Sequence, residues 1–161
     1  MNTSIDELAK AVLSARRKGL FKSKPIFEVY AQTSPDELRH LEGRIGTSLP
    51  LSLRNWLLKV GYGDINEELS FREEWFSPIE VEEGWFSPVE EGQLKGGAIF
   101  AQDDLGNFYA FNSSGQIYFL SRSEPFCAVM SNDFLGFVQE LVCRDYKLGT
   151  WIESLDTQKN K

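Results

Sequence analysis

The 161-residue chain is poor in the residues on which most catalytic and metal chemistry depends. It has a single histidine, His40, and two cysteines, Cys127 and Cys143. That inventory excludes the common zinc spacings and any disulfide framework. Both cysteines have apolar neighbours, so they are expected to be free core thiols in a reducing, cytoplasmic setting. No stretch reaches the roughly 20 apolar residues of a membrane helix, so no membrane partner is expected. Asp6, Glu7 and Lys10 break the apolar pattern of the first residues, which is therefore not read as a secretory signal. A Gly-x-Gly-x-x-Gly, a P-loop and a Gly-x-Ser-x-Gly elbow are all missing, and Gly61-Tyr62-Gly63 is too short and ends a helical pattern. Asp103-Asp104 is better explained by a hairpin turn than by a cation. No carboxylate is matched to a histidine, a lysine or a second motif that would separate an acid from a base. Hence no catalytic residue, no metal site and no cofactor is assigned, and enzymatic activity is not expected.

What the chain does have is enough apolar material for one domain. Hydrophobic residues make up 42% and aromatics 13%, which argues against disorder, and the length is that of a single core. Lys and Arg number 17 against 24 Asp and Glu, a formal charge of −7. This balance disfavours nucleic acid and favours a basic partner.

Ser4 and Glu7 form a capping box ahead of Ile5, Leu8, Ala9, Val12 and Leu13 at helical spacing, with Arg16, Arg17 and Lys18 expected in the last turn. That basic triplet reads as helix-end charge complementarity before it reads as an anion patch. Phe27, Val29 and Ala31 alternate as a short strand or extended arm. Ser34-Pro35-Asp36-Glu37 opens a second helix that stops at Gly46, and Leu49-Pro50 opens a third with Leu53, Trp56, Leu57 and Val60 inward. His40 lies on the second helix and reads as a surface or capping residue. Beyond residue 63 the period becomes 2. Residues 98–102, 108–112, 116–121 and 125–130 read as strands joined by Gly- and Asx-rich links, an antiparallel meander. Both of its faces are apolar; one packs on helices, and the other is covered or offered to a partner. Asn132 or Asp133 caps a last helix near 133–144, and a disordered tail is expected from about Thr157. The fold class is therefore α+β: a single twisted antiparallel sheet over roughly 64–131, backed by helices, with the N-terminal helices before it and one helix after it. Trp56, Leu57, Phe108, Ile117, Phe119, Phe134 and Phe137 are expected in the core.

The middle of the chain is duplicated. Glu74-Trp75-Phe76-Ser77-Pro78-Ile79-Glu80 recurs ten residues on as Gly84-Trp85-Phe86-Ser87-Pro88-Val89-Glu90. From 64 to 92, ten acids face the single base Arg72, a net charge of −9. In one reading the glutamates form a solvated rim and the aromatics turn inward. In the other, Glu73, Glu74, Trp75, Phe76, Glu80, Glu82, Glu83, Trp85, Phe86, Glu90 and Glu91 form a partner-binding surface, with aromatic anchors inside a ring of negative charge. One unit buried and the other exposed would satisfy both.

Three blocks together resemble one family: the run Ser34 to Gly63 with Ile45-Gly46-Thr47-Ser48-Leu49-Pro50 and Gly61-Tyr62-Gly63; Ile99-Phe100-Ala101 through Asp104, Gly106, Tyr109 and Phe111; and Ala128 to Asp133 followed by Phe134-Leu135-Gly136-Phe137-Val138. Their order is similar to that of the SUKH superfamily, which includes fungal cell-wall-assembly regulators and bacterial immunity proteins. The resemblance implies a binding module without shared catalytic residues. It divides a single 1–161 domain into an N-terminal extension 1–33, a core 34–143 and a tail 144–161. It further implies a toxin domain encoded nearby as partner, often a nuclease, neutralised by direct binding. A regulator or scaffold for endogenous proteins is the alternative.

Overall fold

A computed structural model describes residues 4–18, 23–79, 94, 96–122 and 126–159, without the side chains of 18 and 156–159. Helix α1 (Ile5–Ser14) starts where the capping box places it, with the Ser4 hydroxyl accepting from the Glu7 N–H at 3.2 Å. Ile5, Leu8, Ala9 and Val12 are its buried stripe. The basic triplet does not extend this helix. Continued helix would turn Arg16 onto the face of Ala9 and Val12 and bury its charge. The chain instead becomes extended at Ala15, and β1 (Arg16–Lys18) pairs antiparallel with β2 (Ser23–Pro25) as a separate ribbon. There Arg16 stays exposed and donates from Nε to the Ser23 hydroxyl at 2.8 Å.

After β3 (Phe27–Ala31) come α2 (Pro35–Ile45), capped by Ser34 and closed by Gly46 in the left-handed region, and α3 (Leu51–Val60). Strands β4 (Tyr62–Ile65) and β5 (Leu69–Phe71) follow as a hairpin. A 3-10 turn (Glu73–Trp75) leads to the short β6 (Ser77–Pro78). The chain continues as β7 (Ala98–Asp103), β8 (Phe108–Phe111), β9 (Ile117–Leu120) and β10 (Cys127–Ser131). The main sheet runs β10-β9-β8-β7-β5-β4-β3, with every neighbouring pair antiparallel. β5 pairs with Gln102 and Asp103 of β7, and β6 pairs with Ala98 and Ile99. Since β8 occupies the other edge of β7, β5 and β6 are one strand interrupted by the 3-10 turn.

The α+β class with an antiparallel sheet stands, and several details differ from expectation. The sheet begins earlier, because the arm at 27–31 is its edge strand β3. Two helices follow it: α4 (Phe134–Cys143), capped by Asp133 through the Gly136 N–H at 2.7 Å, and α5 (Gly149–Lys159). The described part of the tail is thus helix, and Trp151 and Leu155 enter the core. Phe108 is half-buried, while the other six expected core residues are buried. Cys127 is buried but Cys143, at the solvent side of α4, is exposed; neither forms a disulfide.

The helices α1 to α5 all contribute to one core under the sheet. Phe100 sits at its centre. It stacks on Phe71 (5.9 Å) and Phe111 (6.4 Å) and meets Phe134 and Phe137 edge-on. A bulge between Ile99 and Ala101 places both Phe100 and Ala101 against this core. The opposite face of β7–β10 is also apolar and buried: Leu94, Ala110, Tyr118, Leu120 and Cys127 form a second cluster with Ile79, Ile99 and Phe108 packed on it. Glycine is required where β3 crosses β4. A Cβ on Gly61 would lie 2.4 Å from the Ala31 carbonyl oxygen, and one on Gly63 would lie 2.2 Å from that of Glu28.

Candidate protein-binding surface

The face of β3–β5 that points away from the core is polar. Glu28, Asp64 and Ser70 are register partners across the three strands, and the row continues to Gln102 of β7. The Asp64 carboxylate accepts from the Tyr30 and Ser70 hydroxyls. Those bonds fix the Tyr30 ring, and the guanidinium of Arg72 lies 4.4 Å from its centroid. On its other side the same guanidinium lies 4.9 Å from the Trp75 ring. Among the described residues Arg72 Nε has no hydrogen-bond partner, and the cation lies between two aromatic faces. Tyr30 is 43% exposed and its neighbour Val29 42%, and Trp75 is half-buried. Glu73 and Glu74, both exposed, form the turn between Arg72 and Trp75.

The turn is anchored from below. Arg44 on α2 donates to the Phe76 carbonyl at 2.7 Å and to the Glu73 carbonyl at 2.6 Å. Phe76 is fully buried and meets Tyr62 edge-on at 6.0 Å. Burial, followed by the nearby Glu73 carboxylate, pushes the Tyr62 hydroxyl up to about 12.

The remaining described acids of the 64–92 segment are tied into the fold. Glu67 pairs with Arg17 at 2.7 Å, and that hydrogen-bonded guanidinium lowers its carboxyl below the usual range. Glu68 accepts from the Asn66 side chain and from the Leu148 N–H at 2.9 Å, joining the β4–β5 turn to the start of α5.

Of the residues singled out by sequence, the structure brings Glu73, Glu74 and Trp75 to one surface and places Phe76 in the core. Glu80, Glu82, Glu83, Trp85, Phe86, Glu90 and Glu91 lie outside the described residues. Tyr30, Asp64 and Arg72 belong to the surface and were missed as site residues. One signal was available for Arg72, the lone base in a run of acids. None existed for its contact with Tyr30, which is 42 positions away. His40 is exposed on α2.

The larger described cavity, about 460 Å3, opens between the 47–52 loop, the 112–115 turn and the start of α4. Its one carboxylate, Asp133, is engaged in capping α4. Among the described residues no group of three or more His, Cys, Asp or Glu is placed to hold a metal ion, and no helix is long and apolar enough to cross a membrane.

A family model described as SMI1 / KNR4 family (SUKH-1) matches residues 32–140, more than half of the chain. No curated protein and no solved structure matches it. The matched stretch begins just after β3 and ends inside α4, so Tyr30 lies outside it while Asp64, Arg72 and Trp75 lie within it.

Proposed function

The chain belongs to the SMI1/KNR4 family (SUKH-1), and from that premise we propose that it is a non-enzymatic module that binds a basic protein. In its most specific form it is a bacterial, cytoplasmic immunity protein that neutralises a toxin domain encoded nearby by direct contact. The observation that carries this reading is the Tyr30–Arg72–Trp75 stack, with Tyr30 exposed and Arg72 and Trp75 half-buried, set among Glu28, Asp64, Glu73 and Glu74. Tyr, Trp and Arg are the residue types that dominate interface energy, because large rigid rings and a planar cation bury much area at little entropic cost. Flanking carboxylates raise the encounter rate of a cationic partner and reject anionic ones. A stable complex covers on the order of 800 Å² per partner, and the outer face of β3–β5 with the turn at Glu73–Trp75 would form its centre.

The test is co-expression with the product of the adjacent gene. An immunity protein abolishes the growth arrest that product causes and co-purifies with it. Trp75→Ala and Tyr30→Ala each weaken the complex at least about tenfold, the range of an interface anchor. An adjacent product that is harmless and does not bind removes the toxin reading. Binding to an endogenous, non-toxic protein through the same three residues would support the regulatory alternative instead.

A further inference from the structure

Strand β3 ends the sheet, and its two ends carry opposite charge. Among the described residues β3 pairs with β4 alone. The Ile26 carbonyl accepts from the Asn66 N–H at 2.7 Å, so the ladder turns the backbone groups of Glu28 toward its register partner Asp64. By alternation, those of Phe27 and Val29 face the free edge. The Val29 side chain is exposed, as are those of Glu28 and Tyr30 on either side of it. Such an edge is a template for a further strand.

At its N-terminal end β3 is joined through Ile26 to β2, so the β1–β2 ribbon stands there. From Leu8 to Phe27 the chain has six bases and no acid. Among the described residues Arg17 of this ribbon pairs with Glu67, while Arg16 and Lys24 are exposed and enter no ion pair. The C-terminal end of β3 is acidic. Glu37, in the first turn of α2, accepts from the Thr33 hydroxyl at 3.2 Å, and Glu73 and Glu74 follow the Arg72 that lies on the Tyr30 ring. These three carboxylates are exposed and enter no ion pair among the described residues. We propose that β3 pairs antiparallel with β3 of a second copy of this chain, about a two-fold axis at Val29, so that the basic ribbon of each copy meets the acidic end of the other.

Charge selects this orientation. The five residues of β3 span about 17 Å, and a paired strand lies about 4.8 Å away. Antiparallel pairing therefore sets unlike ends within the Debye length of about 8 Å and keeps like ends about two such lengths apart. Parallel pairing would set like charges side by side. A centre at Val29 places Glu28 of one copy opposite Tyr30 of the other, and not opposite a second Glu28. The bulge between Val29 and Ala31, with the Ala31 carbonyl turned toward Gly61, limits the free ladder to Phe27 and Val29. Backbone bonds across the axis are few, and the charged ends decide how tightly the copies hold. A two-fold contact closes at two copies. It uses the strand edge, so it stands whether or not the outer face of β3–β5 receives a basic protein.

The experiment is analytical ultracentrifugation of the full chain over a concentration series, with no other protein present. A monomer–dimer equilibrium is expected, weakening roughly tenfold between about 0.05 M and 0.5 M salt. A chain that stays monomeric at every salt concentration, or that forms open-ended larger species, overturns the proposal. Two charge-reversed chains sharpen it: Arg16→Glu with Lys24→Glu makes both ends acidic, and Glu73→Lys with Glu74→Lys makes the second end basic. Each alone should be monomeric, because its ends repel those of its own copies, and an equimolar mixture should dimerise. Variants that dimerise alone as well as the original chain does, or a mixture that stays monomeric, overturn it. The register is read by cross-linking in a Cys143→Ser background. Val29→Cys faces its own copy across the axis with Cα atoms about 5.5 Å apart, within disulfide range. Mild oxidation should link two copies there and not through Val129→Cys on β10, the other edge strand. Linkage through position 129 and not through 29 would move the contact to β10 and overturn the assignment.

Discussion

The two halves of the sheet differ in what they do with their second face. Strands β7–β10 bury apolar side chains on both sides, Phe100, Tyr109, Phe111 and Phe119 below and Leu94, Ala110, Tyr118, Leu120 and Cys127 above. Strands β3–β5 bury Phe27, Ile65, Leu69 and Phe71 below, while their upper side carries Glu28, Tyr30, Asp64, Ser70 and Arg72. A strand buried on both faces has its register fixed twice by packing. A strand buried on one face leaves the other available for recognition without cost to the core. The first half therefore holds the fold, and the second half is the one we propose for contact. The hinge between them is β7, where a bulge at Phe100 re-aims the chain.

The comparison breaks most visibly by truncation. Phe100→Ala should cost about 3–5 kcal/mol, since the ring touches four other rings and the cavity cannot collapse. Leu120→Ala on the other face should cost about 2–5 kcal/mol. Tyr30→Ala on the open half should cost about 1 kcal/mol or less. Urea unfolding measures all three, and a Tyr30 value equal to that of Leu120 would erase the distinction. Next in size is Gly63→Ala. Its Cβ would meet the Glu28 carbonyl, a backbone atom that cannot swing aside, so β3 must separate from β4 at a cost of roughly 2–3 kcal/mol. Hydrogen exchange should then accelerate in 27–31 and not in 117–120.

Base should weaken both halves. Tyr62 is raised to about 12 from an ordinary 10.0, and burial, followed by the Asp103 carboxylate, raises Tyr109 well above it too. A tyrosine with a raised folded-state value stabilises the protein below its unfolded value, and that contribution is lost as pH rises through the folded value. Between pH 10 and 12 the protein should lose up to about 2 kcal/mol through Tyr62, alongside a loss through Tyr109, since both hydroxyls ionise near 10 in the unfolded chain and later in the folded one. Stability against pH for Tyr62→Phe should be flatter in that window. An unchanged slope would place the loss elsewhere.

The half that holds the fold was the more legible one in the sequence. Alternation and Asx-Gly links located β7, β8, β9 and β10, and capping signatures at Ser4, Ser34 and Asp133 located three helix starts, because each of these signals is local. The open half is assembled from distant pieces. β3 joins the sheet through Gly63, and Tyr30 meets Arg72 only because β3, β4 and β5 lie side by side. Arg16 marked the end of α1 only once the burial of Ala9 and Val12 was known. Helix α5 was missed because its inward residues, Trp151 and Leu155, are few, and the Leu148 N–H just before it bonds Glu68, 80 positions away. For the same reason the family match at 32–140 leaves out elements that complete the core, since α1, β3 and α5 all bury residues in it.

The smallest effect on stability should accompany the clearest effect on binding. Reversing Glu73, Glu74, Glu82, Glu83, Glu90 and Glu91 to lysine removes negative charge from a segment that carries −9. Like charges at that density repel, and Glu73 and Glu74 are exposed. The unfolding midpoint should therefore stay within about 0.5 kcal/mol of the original or rise slightly. Association with a basic partner is different, because the encounter rate senses the summed field over a Debye length of about 8 Å at physiological salt. The reversed chain should associate roughly ten- to a hundredfold more slowly at low salt, and its rate should lose most of its salt dependence. Dissociation should change much less, since the stack of Tyr30, Arg72 and Trp75 is intact; Trp75→Ala should show the converse, faster dissociation with the salt slope preserved. Stopped-flow association over a salt series separates the two. Equal rates and equal slopes for the reversed and original chains would make the acids a solvated rim. Because the outer face of β7–β10 is itself buried, the contact surface would then reduce to the β3 edge and its aromatic stack.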